Sequence, residues 1–228
     1  MSRFRYAFAH RGGRGHGPDN TLATFREALD RGATALETDA WLTADGLVVL
    51  DHDGVLRAAQ GRHKPIADVR RDELPAHIPT IGELYAACGT DFDLAIDVRR
   101  PNVAAAIVKE AAAFDAADRL WLVGGTERLL SGWQDLDYTG HFAMSIRYKA
   151  RNGDVADRAK QAGADALNMR WPWWTKGWVQ RVHDAGLLAL AYDVQWRWAM
   201  RHCARIGIDG IFSDHVDKLV AESQNPVE

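Results

Sequence analysis

Four short runs of this 228-residue chain carry acids, bases and cations where a strand interior would be apolar. They are His10-Arg11, Glu37-Thr38-Asp39, Asp51-His52-Asp53 and Asp97-Val98-Arg99. In a strand covered on both faces, charge is costly unless it is paired or coordinated. Glu37 and Asp39 are two residues apart, so a strand points both carboxylates to one face. Asp97 and Arg99 repeat that alternation with an acid and a base. Brought together, Glu37, Asp39 and Asp97 supply three hard oxygen ligands, a set that suits Mg²⁺ or Ca²⁺; zinc prefers more nitrogen or sulfur. The competing arrangement pairs each acid with Arg11 or Arg99 in a buried ion pair. Two histidines at the same mouth weigh the balance towards a metal site. His10 and His52 are candidates for general acid and base, because imidazole titrates near neutral pH. His63, His77 and His183 fall in loop or helix patterns and read as solvated.

The stretch after His10 reads RGGRGHGPDNT, with glycine at 12, 13, 15 and 17. It matches neither nucleotide motif: the sixth position counted from Gly13 is Pro18, and no glycine precedes Lys-Ser or Lys-Thr. Pro18-Asp19-Asn20-Thr21 reads as a helix entry, with Asp19 or Asn20 as the N-cap. Glycines allow close backbone approach to an anion, and Arg11, Arg14 and the helix N-terminus favour a phosphate.

The elements that must position these residues follow from the pattern of apolar runs. Strand candidates are 4–10, 34–42, 47–53, 93–99, 120–125, 141–148, 165–171, 187–194 and 209–214. Helical patterns occupy TLATFREALDRG, 103–114, 154–163, 175–186 and 197–207, the first ending at Gly32 as a C-terminal cap. Strands alternating with helices argue for a parallel sheet. The 47–53 run follows its predecessor after only Thr43–Gly46, a connection that makes an antiparallel hairpin. The remaining eight βα units suffice for a single α/β (β/α)8 TIM barrel, with a short β-hairpin extension after strand 2. No linker divides the chain, so residues 1–228 are expected to form one domain.

Composition narrows the function classes. The chain is 47% hydrophobic, 26% charged and has a net charge of −3, with no basic run longer than Arg70-Arg71 or Arg99-Arg100. Nucleic-acid binding needs clustered cations and is not expected. No stretch is long enough to span a bilayer, and the first ten residues do not read as a signal peptide, so a cytoplasmic protein without stable membrane insertion is expected. Cys88 and Cys203 form no framework and read as buried, reduced thiols. The oligomeric state is left open.

Taken together, the motifs resemble those of the glycerophosphodiester phosphodiesterase family. The pattern runs His10-Arg11-Gly12, Pro18-Asp19-Asn20-Thr21, Glu37-Thr38-Asp39, Asp45-Gly46 and His52-Asp53, then Ile78-Pro79-Thr80-Ile81 with Glu83-Leu84, and closes on Gly210-Ile211-Phe212-Ser213-Asp214. The resemblance implies a TIM barrel, one divalent cation (Mg²⁺ or Ca²⁺), and hydrolysis of a small-molecule phosphodiester to an alcohol and a phosphomonoester. It casts His10 and His52 as the acid/base pair, Glu37, Asp39 and Asp97 as metal ligands, and Arg11 and Arg99 as phosphate contacts. Several positions depart from the family pattern. Asp97-Val98-Arg99 replaces the usual Glu-x-Lys, and an Asp there is similar to the related sphingomyelinase D enzymes. Tyr192-Asp193-Val194-Gln195 replaces Trp-Thr-Val-Asn, Asp19 replaces a Glu, and Arg57-Ala58-Ala59 lacks the usual threonines. Two alternatives follow: a phospholipase D-like activity on lysophospholipids, and a barrel that binds a phosphorylated ligand without turnover. The WPWWTKGW segment (171–178), with Trp196 and Trp198, reads either as packing under a βα loop or as an aromatic wall at the mouth.

Overall fold

The computed structural model describes residues 3–57, 63–147 and 153–224. The strands are β1 (Tyr6–His10), β2 (Ala35–Leu42), β3 (Val48–Leu50), β4 (Val55–Arg57), β5 (His63–Pro65), β6 (Asp93–Asp97), β7 (Leu120–Gly124), β8 (His141–Ser145), β9 (Ala166–Arg170), β10 (Leu188–Tyr192) and β11 (Gly210–Ser213). The helices are α1 (Leu22–Asp30), α2 (Ile81–Cys88), α3 (Pro101–Ala112), α4 (Glu127–Ser131), α5 (Val155–Gln161), α6 (Lys176–Asp184), α7 (Arg197–Ile206) and α8 (Val216–Gln224). β1 pairs in parallel with both β2 and β11, which closes a ring of β1, β2, β6, β7, β8, β9, β10 and β11. β3 lies outside the ring, antiparallel to β2 with Ala40 opposite Leu50, as the short connection predicts. β4 and β5 pair antiparallel as a separate two-stranded sheet.

Alternation sorts each barrel strand into an outward residue under the helices and an inward one. The inward set from the lower part of the strands is aromatic and small: Tyr6, Phe8, Ala35, Ala95, Trp121, Ala143, Ala166, Leu190 and Phe212 form one buried cluster. Phe8 stacks on Phe212 at 4.5 Å, and Tyr6 meets Trp121 edge-on at 4.8 Å, so rings plug the barrel. Two residues further along, the same inward rows deliver His10, Glu37 and Asp97. An apolar floor with a polar layer above it is what the strand period alone produces.

The structure corrects four sequence expectations. The cap of α1 is Thr21, with φ −107° and ψ 151°; its hydroxyl accepts from Thr24 N. Asp19 and Asn20 are displaced from that role because Asn20 sits at φ 54° and its side chain accepts from Thr38 Oγ1 at 2.9 Å. β3 ends at Leu50, so Asp51, His52 and Asp53 lie on the loop beyond it and not on a strand. Helices α2, α4 and α8 were not among the helical patterns; α2 is anchored by a capping box between Thr80 and Glu83. Cys203 is buried, whereas Cys88 is only half-buried; both are free thiols. Ala58, Ala59 and Tyr148 lie outside the described residues.

Candidate active site

The chain leaves β1 through Arg11, Gly12 and Gly13, all at positive φ (51°, 77° and 83°). A Cβ on Gly13 would come within 2.3 Å of Val216 Cγ2, so this turn needs glycine for space as well as for conformation. The turn carries the backbone back over the mouth, where Arg11 N donates to Glu37 Oε2 at 3.0 Å. β1 and β2 are in register at His10 and Glu37, and β2 and β6 at Asp39 and Asp97. Register alone therefore gathers the imidazole and three carboxylates within neighbouring strand ends.

His10 is held from both sides. Its Nδ1 lies 2.5 Å from Asp214 Oδ1, and its Nε2 lies 3.7 Å from Glu37 Oε2. Burial disfavours the imidazolium, but Glu37 and Asp214 outweigh burial and raise the His10 pKa above its ordinary value. Burial also acts on Asp214 in the upward direction, yet the hydrogen bond from His10 holds its carboxyl below the usual range. Gln195 Oε1 accepts from Asp214 N at 2.9 Å and from Ser213 Oγ at 3.2 Å, fixing the end of β11 that presents Asp214.

His10, Arg11, Arg14, Glu37, Asp97, Asn168, Tyr192 and Asp214 line a cavity of about 430 Å³ at this mouth. Asp39 is buried behind it, between two guanidiniums: Arg99 donates to Oδ1 at 3.2 Å, and Arg11 Nε lies 3.5 Å from Oδ2. The ion-pair arrangement weighed from the sequence is thus present at Asp39. It does not satisfy the carboxylate, because Oδ2 is buried with no hydrogen-bond partner. Burial, then the charges of Glu37 and Asp97, push Asp39 up to about 8 against the pull of the arginines. Burial and Glu37 likewise push Asp97 up to about 6. Asp39 and Asp97, each raised by burial and by the charge of Glu37, with one orphaned oxygen on Asp39, have the hard-oxygen chemistry that a divalent cation takes up. Arg99 also lies 3.9 Å from Asp97 and 5.8 Å from the Trp41 ring, so it borders the carboxylates directly.

His52 occupies a neighbouring cavity of about 440 Å³, with Arg11, Arg14, Asp19, Asp51, Asp53 and Arg57. Its Nδ1 lies 2.8 Å from Asp53 Oδ1. The structure therefore does not place His10 and His52 in one cavity. The two cavities share Arg11 and Arg14 as their common wall.

Asp214 and Asn168 escaped the sequence reading as site residues. Asp214 was visible only as the end of the closing motif, because its partner His10 is 204 residues away. Asn168, whose signal is a lone amide within the apolar run of β9, is buried, lines the cavity and has an Oδ1 without a hydrogen-bond partner. None of the tryptophans of 171–178, nor Trp196 or Trp198, lines the cavity that holds His10. Trp174 is buried and its Nε1 is within hydrogen-bonding distance of Met169 O and Leu190 O, which pins the loop after β9. Trp171 meets the exposed Trp198 edge-on at 5.1 Å.

An acid-rich cavity with an Asp-buttressed histidine, at the C-terminal strand ends, defines a (β/α)8 barrel with a polar site at its mouth. The model of the glycerophosphoryl diester phosphodiesterase family matches residues 10–87, which run from His10 through α2. A glycerophosphodiester phosphodiesterase of Bacillus altitudinis is 24% identical, over 93% of this chain and 96% of its own. A human lysophospholipase D is 41% identical, but over only 33% of this chain and 23% of its own. An Oleispira antarctica phosphodiesterase, solved with its product sn-glycerol-3-phosphate, superposes with a TM-score of 0.83 at 21% identity and covers 96% of this chain and 97% of its own. At that identity the structural match speaks for the barrel fold. The resemblance to the glycerophosphodiester phosphodiesterase family drawn from the sequence is borne out.

Proposed function

We propose that this chain is a phosphoric diester hydrolase that cleaves glycerophosphodiesters, or close analogues, to an alcohol and a phosphomonoester. The carrying observation is His10, clamped between Asp214 and Glu37 at the wall of an acid-lined cavity. The family match over residues 10–87, which include His10 and Glu37 but not Asp214, supports it. In this reading residues 1–228 act as one barrel domain.

Glu37, Asp39 and Asp97 are the residues that would hold one divalent cation, Mg²⁺ or Ca²⁺. Such a cation, when bound, would neutralise phosphate oxygens and the extra charge that develops in the transition state. Arg11 and Arg99 add positive charge beside the carboxylates and contact the phosphate. The reaction forms one P–O bond from water and breaks the P–O bond to the alcohol; where a substrate hydroxyl attacks first, it expels the alcohol and leaves a cyclic phosphodiester, which water then opens to the phosphomonoester. One histidine takes the proton of the nucleophile and the other gives a proton to the departing alkoxide. His10 and His52 fill these two roles from adjoining cavities that share Arg11 and Arg14 in their linings. Asp214 keeps the His10 ring oriented, as a positioning residue.

The local match to a human lysophospholipase D favours a second reading, cleavage of the same phosphate–alcohol bond in a lysophospholipid. Assaying glycerophosphocholine against lysophosphatidylcholine, each with Mg²⁺, Ca²⁺ or EDTA, separates the readings. Turnover of glycerophosphocholine that stops in EDTA is expected. Full turnover in EDTA contradicts the cation site, and turnover of lysophosphatidylcholine alone supports the second reading.

A further inference from the structure

The glycine run contains one histidine, His16, that the proposed reaction does not use. Its Nε2 lies 3.3 Å from Asp217 Oδ1 in the first turn of α8. The ring of His215, from the β11–α8 junction, stands nearly perpendicular to His16, at 87° and 6.4 Å between centroids. One donor atom from each of His16, His215 and Asp217 falls within 4.8 Å of the others. These segments are some 200 residues apart in the chain, so the grouping is tertiary and not a local accident of sequence.

Local packing puts the rings there. Gly15 N donates to Asp214 O at 3.0 Å, which docks the loop on the end of β11. A Cβ on residue 15 would lie 2.8 Å from His215 Nδ1, so glycine makes the room the imidazole occupies. His215 N donates to Ser213 Oγ at 3.2 Å, fixing the junction from the other side.

Two imidazole nitrogens with one carboxylate oxygen is a borderline donor set, suited to a first-row transition dication and not to Mg²⁺ or Ca²⁺. Around a tetrahedral ion with bonds of about 2.0–2.1 Å, donors sit roughly 3.3 Å apart. The His16–Asp217 edge already has that length, and His215 needs only a short approach. We propose that His16, His215 and Asp217 form a second cation site, distinct from the Glu37–Asp39–Asp97 cluster, that binds a Zn²⁺-class ion. The fourth position is left to water. The bound ion straps the loop that carries Arg11 and Arg14 onto the start of α8, next to Asp214.

The test is calorimetric titration of Zn²⁺ into the metal-stripped full chain in excess Mg²⁺, repeated with Co²⁺ while its visible absorption is recorded. Wild type is expected to take up one equivalent with the intense visible band of a tetrahedral Co²⁺ site. Replacing His16→Asn, His215→Gln or Asp217→Asn singly should weaken uptake by more than about 100-fold, beyond the cost of losing a merely supporting hydrogen bond. Glu37→Gln, checked by circular dichroism alongside the others, should leave this equivalent in place. The surface change Asp217→Asn keeps the test valid should a histidine variant misfold. No Zn²⁺ uptake by wild type overturns the site, as does uptake that survives all three changes or disappears in Glu37→Gln. The outcome is independent of whether the chain hydrolyses any phosphodiester.

Discussion

Two carboxylate sites in this barrel are built on opposite plans. At the mouth, Glu37, Asp39 and Asp97 crowd together, and Asp39 Oδ2 is buried without a hydrogen bond. In the seam between α7, α8 and the segment before β1, one carboxylate, Glu222, is surrounded by three arginines. Arg3 donates to Glu222 at 2.7 Å, Arg201 at 2.9 and 3.0 Å, and Arg197 at 3.3 Å. The hydrogen bond from Arg201, with further help from Arg197 and Arg3, holds the Glu222 carboxyl below its usual range. Asp39 and Asp97 at the mouth are pushed the other way. The seam spends its charges on fastening the chain's first residues to its last helix. The mouth keeps like charges together, at a cost to the fold that a bound cation would relieve.

Asp39→Asn sharpens the contrast most. It is expected to cut kcat on glycerophosphocholine by about 10³-fold, since ligand loss forfeits several kcal/mol of charge stabilisation. The same change should stabilise the metal-stripped chain by on the order of 1 kcal/mol, because it removes crowded charge. The sign follows from the raised pKa. Between the unfolded value near 4 and the folded value of about 8, the native state binds the extra proton, so wild type loses stability as pH rises through that window. Melting curves of the two proteins should therefore diverge as pH climbs from 4 and differ most above 8.

Asp214→Asn should lower kcat by about 10²-fold, because it frees the His10 ring without removing it. The kinetic pKa assigned to His10 should also move down, as Asp214 helps hold the imidazolium. A kcat loss with no movement of the pH profile would reduce Asp214 to a packing role.

Glu222→Gln should leave kcat within about twofold but lower stability by about 2 kcal/mol, roughly 4–8 °C in melting temperature; the exposed ends of Arg197 and Arg201 keep this below the cost of a fully buried pair. Its carboxyl pKa is depressed, so the contribution is whole above the ordinary carboxylate range and is lost as pH falls through the lowered value. Thermal melts between pH 6 and 3 check this, and a shift only at high pH would contradict it.

What the sequence disclosed followed strand period. Alternation in Glu37-Thr38-Asp39 and in Asp97-Val98-Arg99 put the acids at the strand ends, and counting βα units gave the closed ring. What it hid depends on contacts distant in the chain. The pairing of His10 with Asp214 has no local periodicity. His52 was placed on a strand arm that stops at Leu50, because an apolar run marks where a strand begins better than where it ends. The tryptophan segment was ambiguous for a related reason: composition shows rings near a mouth, but only packing shows Trp174 turned inward as a pin.

The most direct test of the account is the rate of glycerophosphocholine hydrolysis by wild type and His10→Ala in saturating Mg²⁺, followed by release of both products. The account predicts steady turnover by wild type and a fall of roughly 10²–10⁴-fold in the variant, the range expected for loss of a positioned acid or base. A folded His10→Ala chain that turns over at the wild-type rate would contradict it.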